Sequence, residues 1–244
     1  MAQPTLVLVC KRPALGNGKQ RLAAKVGVEI AYQIAEALLA CVLEDVMTWP
    51  GKVIVAPADT KDHKWAENIS KQMHGEQIHS DLKVISQTDG NLGQRLNALD
   101  QTLRSNGFNH LIYIGSDAPD ITPTDFSDLS KALLNFDTVL KPTLDGGVSI
   151  MASRKPWPEL SDLPWSTSQL GDSLFRICLE NGHTVAKLQQ GFDVDEYEDL
   201  FYLVSKLADD QRPARRALVA LAHQIVRMKT SKQKVCAQRE SDYV

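Results

Sequence analysis

NHLIYIGSDAPDITP, residues 109–123, is the stretch that sets the fold. Leu111 to Ile114 form an uninterrupted apolar run of strand length, which suits a strand buried on both faces. The run stops at Gly115-Ser116-Asp117, and Pro119 and Pro123 punctuate the loop beyond it. Thr122 has the character of a helix N-cap, with Pro123 at the first helical position and Asp125 at a capping-box spacing. A strand succeeded at once by a helix puts Asp117 on the loop at a strand's carboxyl end, where open α/β sheets bind ligands. A carboxylate there is either a divalent-metal ligand or an acceptor for the backbone N–H groups of its own turn.

Outward from this centre, strands and helices alternate. Strands are expected at 6–9, 52–56, 83–86, 138–141, 148–152 and 183–188, besides the one at 111–114. Apolar residues at three- and four-residue steps from Val28 to Met47 predict a long amphipathic helix. Further helices are expected at 62–73, 94–105, 123–134, from a Ser166 cap to about Asn181, 196–207 and 213–229. This order predicts an α/β protein with a Rossmann-like, mostly parallel sheet flanked by helices. We expect one main domain over 1–208, a helix at 209–229 packed on it or on a second subunit of a homodimer, and a flexible tail at 230–244.

Composition narrows the function. With 244 residues, 43% hydrophobic and 23% charged, the chain suits a globular protein, and no apolar run is long enough to span a bilayer. The apolar stretch near the start reads as a first strand rather than a signal peptide. Four scattered cysteines without a C-x-x-C argue against a disulfide scaffold or a zinc ribbon and fit a reducing cytoplasm. Six histidines lie far apart, so any metal would be held by oxygen, as Mg²⁺ or Mn²⁺ prefers. The net charge of −3 is unevenly spread: residues 1–28 and 211–239 carry bases and no acid, whereas acids gather at 117–128 and 193–199. That division supplies cations for phosphate and carboxylates for a metal, or it is only a solubilising surface pattern.

Four further stretches could carry chemistry. In the loop after the first strand, Gly16 and Gly18 allow close backbone approach, and Lys11, Arg12, Lys19 and Arg21 surround them with positive charge. It can cradle a di- or triphosphate, yet it is neither a Walker A motif nor a dinucleotide fingerprint, since Pro13 and Arg21 stand where glycines belong. In QTDGNLGQRL (87–96), Gln87 could read a nucleobase edge and Arg95 reach a phosphate, or the segment is a helix-entry turn. Asp145-Gly146-Gly147 allows close approach to a substrate, or marks a hairpin. Asp193 and Asp195, two apart in an extended segment, could face one cation together, unless one of them caps the next helix.

Taken together, these segments resemble the DUF2064 group of transferases, also called radical-SAM/selenodomain-associated transferase 1, of the nucleotide-diphospho-sugar transferase (GT-A) superfamily. Lys11, Pro13, Gly16, Lys19, Arg21 and Leu22 match its K-x-P-x-x-G-x-x-K-T-R-L, and Gly90, Leu92, Gly93 and Arg95 its G-x-L-G-x-R. Gly115, Ser116, Asp117 and Pro119 match G-S-D-S-P, and Asp145, Gly146 and Gly147 match D-G-G. Trp165, Ser166 and Thr167 match W-S-T, and Asp193, Val194, Asp195, Glu198, Asp199 and Leu200 match D-V-D-x-x-E-D-L. A more distant similarity is to the cofactor-F420 guanylyltransferases. Gln20 replaces the usual threonine, Ala118 a serine or cysteine, Lys141 a glycine, and Val148-Ser149 an aromatic pair, the last two changes on the acceptor side.

The resemblance implies a GT-A fold and a metal-dependent transferase. Asp117 would be the principal ligand of Mg²⁺ or Mn²⁺, completed by Asp193 or Asp195. Lys11, Lys19 and Arg21 would contact phosphates, with Pro13, Gly16, Gly18 and Ser116 around them, while Gln87, Gly93 and Arg95 define the nucleotide pocket. Asp145, Gly146, Gly147, Trp165 and Ser166 would face a small-molecule acceptor. Two chemistries fit: glycosyl transfer from a nucleotide-diphosphate sugar, which the family naming favours, and nucleotidyl transfer from an NTP with release of pyrophosphate. A third reading is a catalytically inactive binding protein that uses the bases Arg212, Arg215, Arg216, Arg227 and Lys229 on an anionic partner. No nucleic-acid motif supports a nucleic-acid partner.

Overall fold

A computed structural model describes residues 3–74 and 82–241, with side chains described for all of these except 72–74 and 230–241. The chain forms two compact units, each built from two stretches: Met1–Arg12 with Val42–Asp193, and Pro13–Cys41 with Val194–Val244.

The first unit holds the whole sheet. Its strands are β1 (Thr5–Cys10), β2 (Val53–Pro57), β3 (Leu82–Val84), β4 (Leu111–Ile114), β5 (Thr138–Pro142), β6 (Val148–Ser153) and β7 (Val185–Lys187), in the order β3-β2-β1-β4-β6-β5-β7. Only β6 runs against its neighbours, pairing antiparallel with both β4 and β5; every other pairing is parallel. The mostly parallel, Rossmann-like sheet expected from the strand–helix alternation is therefore present. All four residues of β4 are buried, as a central parallel strand requires.

Register explains which side chains make the core. Val7 lies opposite Ile54 on one side and Tyr113 on the other, Tyr113 opposite Met151, and Met151 opposite Leu140. Because strand side chains alternate, these five lie in one row on one face. They share a buried cluster with Leu96, Leu99 and Leu103 of the helix Leu92–Ser105, and with Leu174 and Cys178 of the helix Leu170–Glu180. Burial pushes the Cys178 thiol up to about 12, so it stays protonated as a small apolar side chain.

In chain order the helices are α1 (Gln20–Val26), α2 (Val28–Thr48), α3 (His63–His74), α4 (Leu92–Ser105), α5 (Pro123–Ala132), α6 (Leu170–Glu180), α7 (Asp199–Lys206) and α8 (Pro213–Ser241). The capping box expected at Thr122 is formed: the Asp125 N–H donates to Thr122 Oγ1 at 3.2 Å and the Thr122 N–H to Asp125 Oδ2 at 2.8 Å. A second box, Asn91 with Gln94, starts α4 two residues before its expected position at 94. Three expectations are corrected. Residues 20–22, read as part of the loop after the first strand, begin α1, which runs on to Val26. Ser166 does not cap α6: its φ is +63°, and the helix begins only after Gln169. The irregular tail expected from 230 is helical as far as Ser241, and 242–244 lie outside the described residues.

In the second unit α7 and α8 pack on each other. Leu218, Ala222 and Ile225 of α8 are buried, and Leu221 beside them is half-buried. Arg215 is fully buried as well, its guanidinium donating to the Cys41 carbonyl. Arg212 is engaged by Asp210, whose carboxyl is held below its ordinary value, against the cost of burial, by hydrogen bonds from Arg212. Two of the five bases offered for an anionic partner are thus spent on the fold.

Candidate functional site

The reversed strand β6 determines what gathers at the sheet's carboxyl edge. Ile114, the last residue of β4, pairs with Ile150 near the start of β6, and Leu111 with Ser153 at its end. The turn before β6, Asp145-Gly146-Gly147, therefore lies at the same edge as Gly115-Ser116-Asp117. A short hairpin does what a parallel strand would need a crossover to do. Asp117 is exposed on that edge and Ser116 is half-buried.

Beyond Asp117 the loop turns inward. Asp120 Oδ2 accepts a hydrogen bond from the Phe192 N–H at 3.3 Å, joining the Asp117 loop to the segment that carries Asp193. Lys141, on β5, stands beside it: Nζ lies 3.6 Å from Asp120 Oδ2 and 2.8 Å from Asp125 Oδ1. Burial drives the Asp120 carboxyl above its ordinary pKa, opposed by the Lys141 ammonium and reinforced by the Asp125 charge. Gly191 makes room for this cluster, because a Cβ there would sit 2.4 Å from Asp120 Oδ2 and 2.6 Å from Lys141 Cε. The Gly191 N–H donates to the Pro142 carbonyl and its carbonyl accepts from the Leu144 N–H, extending the β5 edge. Sequence reasoning selects neither Asp120 nor Lys141 as a site residue. The available signals are the second aspartate of GSDAPD and a lysine at a position where the family has glycine.

The other sequence-selected residues of this unit fall into two groups. Gln87 is buried just beyond β3; its Nε2 donates to the Ala56 carbonyl at 2.7 Å and its Oε1 is buried without a partner. Arg95 lies in the first turn of α4, with Nε also buried and without a partner. Gly93 serves packing: a Cβ would stand 2.0 Å from the Leu160 carbonyl oxygen. Trp165 Nε1 donates to the same carbonyl at 2.8 Å. Gly146, at φ +89°, is pressed against the Ser168 backbone and accepts from the Gly171 N–H, so the Asp-Gly-Gly turn and the segment after Trp165-Ser166 are packed together. Asp145 Oδ1 accepts from the Thr143 hydroxyl at 2.5 Å and the Gly147 N–H at 2.9 Å, which makes it a turn-fixing carboxylate.

In the second unit, Gly16, Gly18 and Lys19 all have positive φ (+72°, +78° and +48°). The glycines meet no atom that would exclude a side chain, so backbone conformation is what requires them. Gln20, where the family has threonine, ties the turn by donating from Nε2 to the Gly16 carbonyl at 2.8 Å. Lys19, left-handed and followed by helical Gln20, turns successive backbone N–H groups the same way, a concavity suited to an anion. Its ammonium donates to Asp195 Oδ1 at 2.8 Å and to the Val194 carbonyl at 2.6 Å. Arg21 reaches Glu196 at 3.4 Å, both side chains exposed. Asp195 does not cap the helix after it; Asp199 accepts from the Asp195 and Glu196 N–H groups instead. Asp193 and Asp195, expected to act together, belong to different units. Lys11 comes directly after β1 in the first unit and is exposed, and Pro13 opens the second.

Among the described residues no group of three or more His, Cys, Asp and Glu side chains is placed to hold a metal ion. One or two carboxylates, with water or phosphate in the other positions, would be enough to hold a divalent ion. That is the usual arrangement for Mg²⁺, and an all-oxygen donor set fits it.

The sequence pattern of DUF2064, described as an uncharacterized protein conserved in bacteria, matches residues 41–167. The chain belongs to the DUF2064 family. The match begins at Cys41, within α2, and ends at Thr167, so it includes the Asp117 loop and the Asp-Gly-Gly turn, while the Lys19 turn and the Asp193 segment lie outside it. Comparison with curated proteins gives no match. Among solved structures, a protein of Desulfovibrio desulfuricans G20 provisionally named a nucleotide-diphospho-sugar transferase is similar, with a TM-score of 0.75 at 18% identity over 92% of this chain and 99% of that one. A cytidylyltransferase of Leptospira borgpetersenii serovar Hardjo-bovis gives a TM-score of 0.53 at 13% identity over 94% and 96%. A 4-diphosphocytidyl-2C-methyl-D-erythritol synthase of Anaerococcus prevotii gives 0.50 at 12% identity over 82% and 94%. At these identities the likeness is one of fold, and that fold is the GT-A arrangement.

Proposed function

We propose that this DUF2064 protein is a metal-dependent transferase of activated nucleotide substrates, moving a sugar from a nucleotide-diphosphate sugar to a small acceptor. The observation that carries the proposal is the tie at the carboxyl edge of the sheet. Through Asp120, the loop of Asp117 and the segment of Asp193 are held together. Two aspartates delivered by separate elements are what a cation bridging protein and phosphate needs. In this reading Asp117 and Asp193 are the ligands, whereas Asp195 serves Lys19. A bound Mg²⁺ or Mn²⁺ would neutralise charge as the departing phosphate forms.

The chain's own residues do the rest. The turn at Gly16–Lys19 presents backbone N–H groups and the Lys19 ammonium to phosphate oxygens, with Arg21 as a further cation. Gln87 Oε1 and Arg95 Nε, buried and without partners, are offered to the nucleotide. The Asp-Gly-Gly turn and the Trp165–Ser166 segment shape the acceptor side.

Nucleotidyl transfer is the second reading. It is favoured by the density of cations and left-handed residues in the 11–21 stretch, which would suit a triphosphate. The two reactions are separated by their products. Incubation with a panel of nucleotide sugars and NTPs, with Mg²⁺ or Mn²⁺, should release nucleoside diphosphate in the first case and pyrophosphate in the second. Release of neither from any donor, by protein shown to be folded, would leave the transferase reading without support.

A further inference from the structure

We propose that Asp120 and Lys141 form a positioning brace that fixes the Asp193 segment against the Asp117 loop. The inference rests on reading Asp117 and Asp193 as metal ligands. Asp120 stands on the same loop as Asp117, and its Oδ2 accepts from the N–H of Phe192, the residue before Asp193, at 3.3 Å. A single carboxylate thus spans the two stretches that must hold a fixed distance if both are to reach one cation. Its other oxygen, Oδ1, is buried without a partner, so the hold runs through Oδ2.

Lys141 anchors the brace from the other side. Its Nζ contacts Asp120 Oδ2 at 3.6 Å and Asp125 Oδ1 at 2.8 Å. Asp125 is itself immobilised, since its Oδ2 accepts from both the N–H and the hydroxyl of Thr122 at 2.8 Å. Order therefore passes from the first turn of α5 to Lys141, then to Asp120, then to the backbone beside Asp193. Two carboxylates against one buried ammonium is a poor choice for stability alone, because each buried charge costs more than a single pairing returns. The arrangement makes sense if what it supplies is a fixed backbone position. Residues that orient metal ligands from behind commonly govern metal affinity about 10–100-fold. Gly191 belongs to the brace because any side chain there would part Asp120 and Lys141 from the segment.

The test is binding of Mn²⁺ alone to the full chain, followed by electron paramagnetic resonance of the free ion, with thermal unfolding measured on every variant. Asp120→Ala should weaken Mn²⁺ binding about tenfold, at the low end for such orienting residues. Asp120→Asn, whose amide oxygen can still accept from Phe192 and from Lys141, should recover most of the loss. Gly191→Ala should reproduce the loss from the opposite side of the contact. Asp117→Asn is the control on the underlying reading: if it binds Mn²⁺ like the parent, the metal assignment fails and the brace with it. If Asp117→Asn loses binding while Asp120→Ala and Gly191→Ala keep it, the brace alone is overturned. It is equally overturned if Asp120→Asn loses as much as Asp120→Ala, for then Asp120 acts by its charge. Should Asp120→Ala melt below the assay temperature, Asp120→Asn and Gly191→Ala decide the matter.

Discussion

Two lysine–aspartate pairs, each closing at 2.8 Å, sit in the two units and do opposite work. Lys141 and Asp125 are 5% and 12% exposed, with Asp120 at 16% against the same ammonium. Lys19 is 7% exposed, yet its partner Asp195 is 47% exposed. In the first cluster every charge is surrounded by protein, so no ligand can compete for it and its function is to hold shape. In the second, water already reaches the acid, so the pair is screened, and in the proposed function an incoming phosphate would contest the ammonium. Distance alone would rank the pairs as equal. Burial separates a pair enclosed by protein from one whose acid meets water.

That contrast sets the size of the expected effects. Asp117→Asn, at the edge the buried cluster supports, should lower turnover by about 10²–10³-fold or more while leaving the melting temperature near that of the parent, since the side chain is exposed. A product assay together with calorimetry checks both halves, and full activity would remove Asp117 from the mechanism. Lys141→Met should cost about 3–5 kcal/mol in denaturant unfolding, because it leaves two buried carboxylates uncompensated. A loss below that of the Lys19 variant would erase the distinction drawn here.

The same variant carries a pH test. The folded-state pKa of Asp120 is raised, so over the window from the ordinary carboxylate pKa up to the raised one the native state binds more protons than the unfolded state, and stability falls as pH rises. Without the Lys141 ammonium, the main influence opposing that shift, the window should widen. Lowering the pH from 7 toward 5 should therefore restore part of the lost stability in Lys141→Met and restore less in the parent.

Lys19→Ala should change stability by less than about 1 kcal/mol, as half-exposed pairs do. Its effect belongs in nucleotide affinity, weakened about tenfold as one charge-assisted contact is lost. Asp195→Ala should weaken affinity less and add nothing in the Lys19→Ala background, a double-mutant cycle read by calorimetric titration. Gly16→Ala should strain a residue at φ +72° by about 1–2 kcal/mol without steric conflict, measurable as a shift in the unfolding midpoint.

How much of the molecule is legible in its sequence depends on how local each cause is. The Leu111–Ile114 strand, the turn after it and the Thr122–Asp125 box depend on residues within a few positions of one another, and all are readable. The sheet comes from the alternation of elements. The seven-residue α1 escapes notice because glycines on both sides mask so short a helix. Ser166 looks like a cap by residue type, but its left-handed backbone arises from the turn against Gly146 and Ser168, which sequence spacing cannot show. Lys141 is visible as an odd residue on a strand, yet the acids it faces come from a loop and a helix earlier in the chain. Asp195 reads toward a metal or a helix cap, the two roles that its own segment suggests. Its claim on Lys19 arises only when the start and the end of the chain are folded together.

The buried contact between Arg215 and the Cys41 carbonyl bears on how the protein is made. Residues 13–41 leave the ribosome long before residue 194, where the rest of their unit begins. Through most of synthesis the early stretch, which carries Leu22, Ile34 and Leu38, waits without the rest of its unit. Folding of that unit therefore waits until the stretch from residue 194 onward has been made.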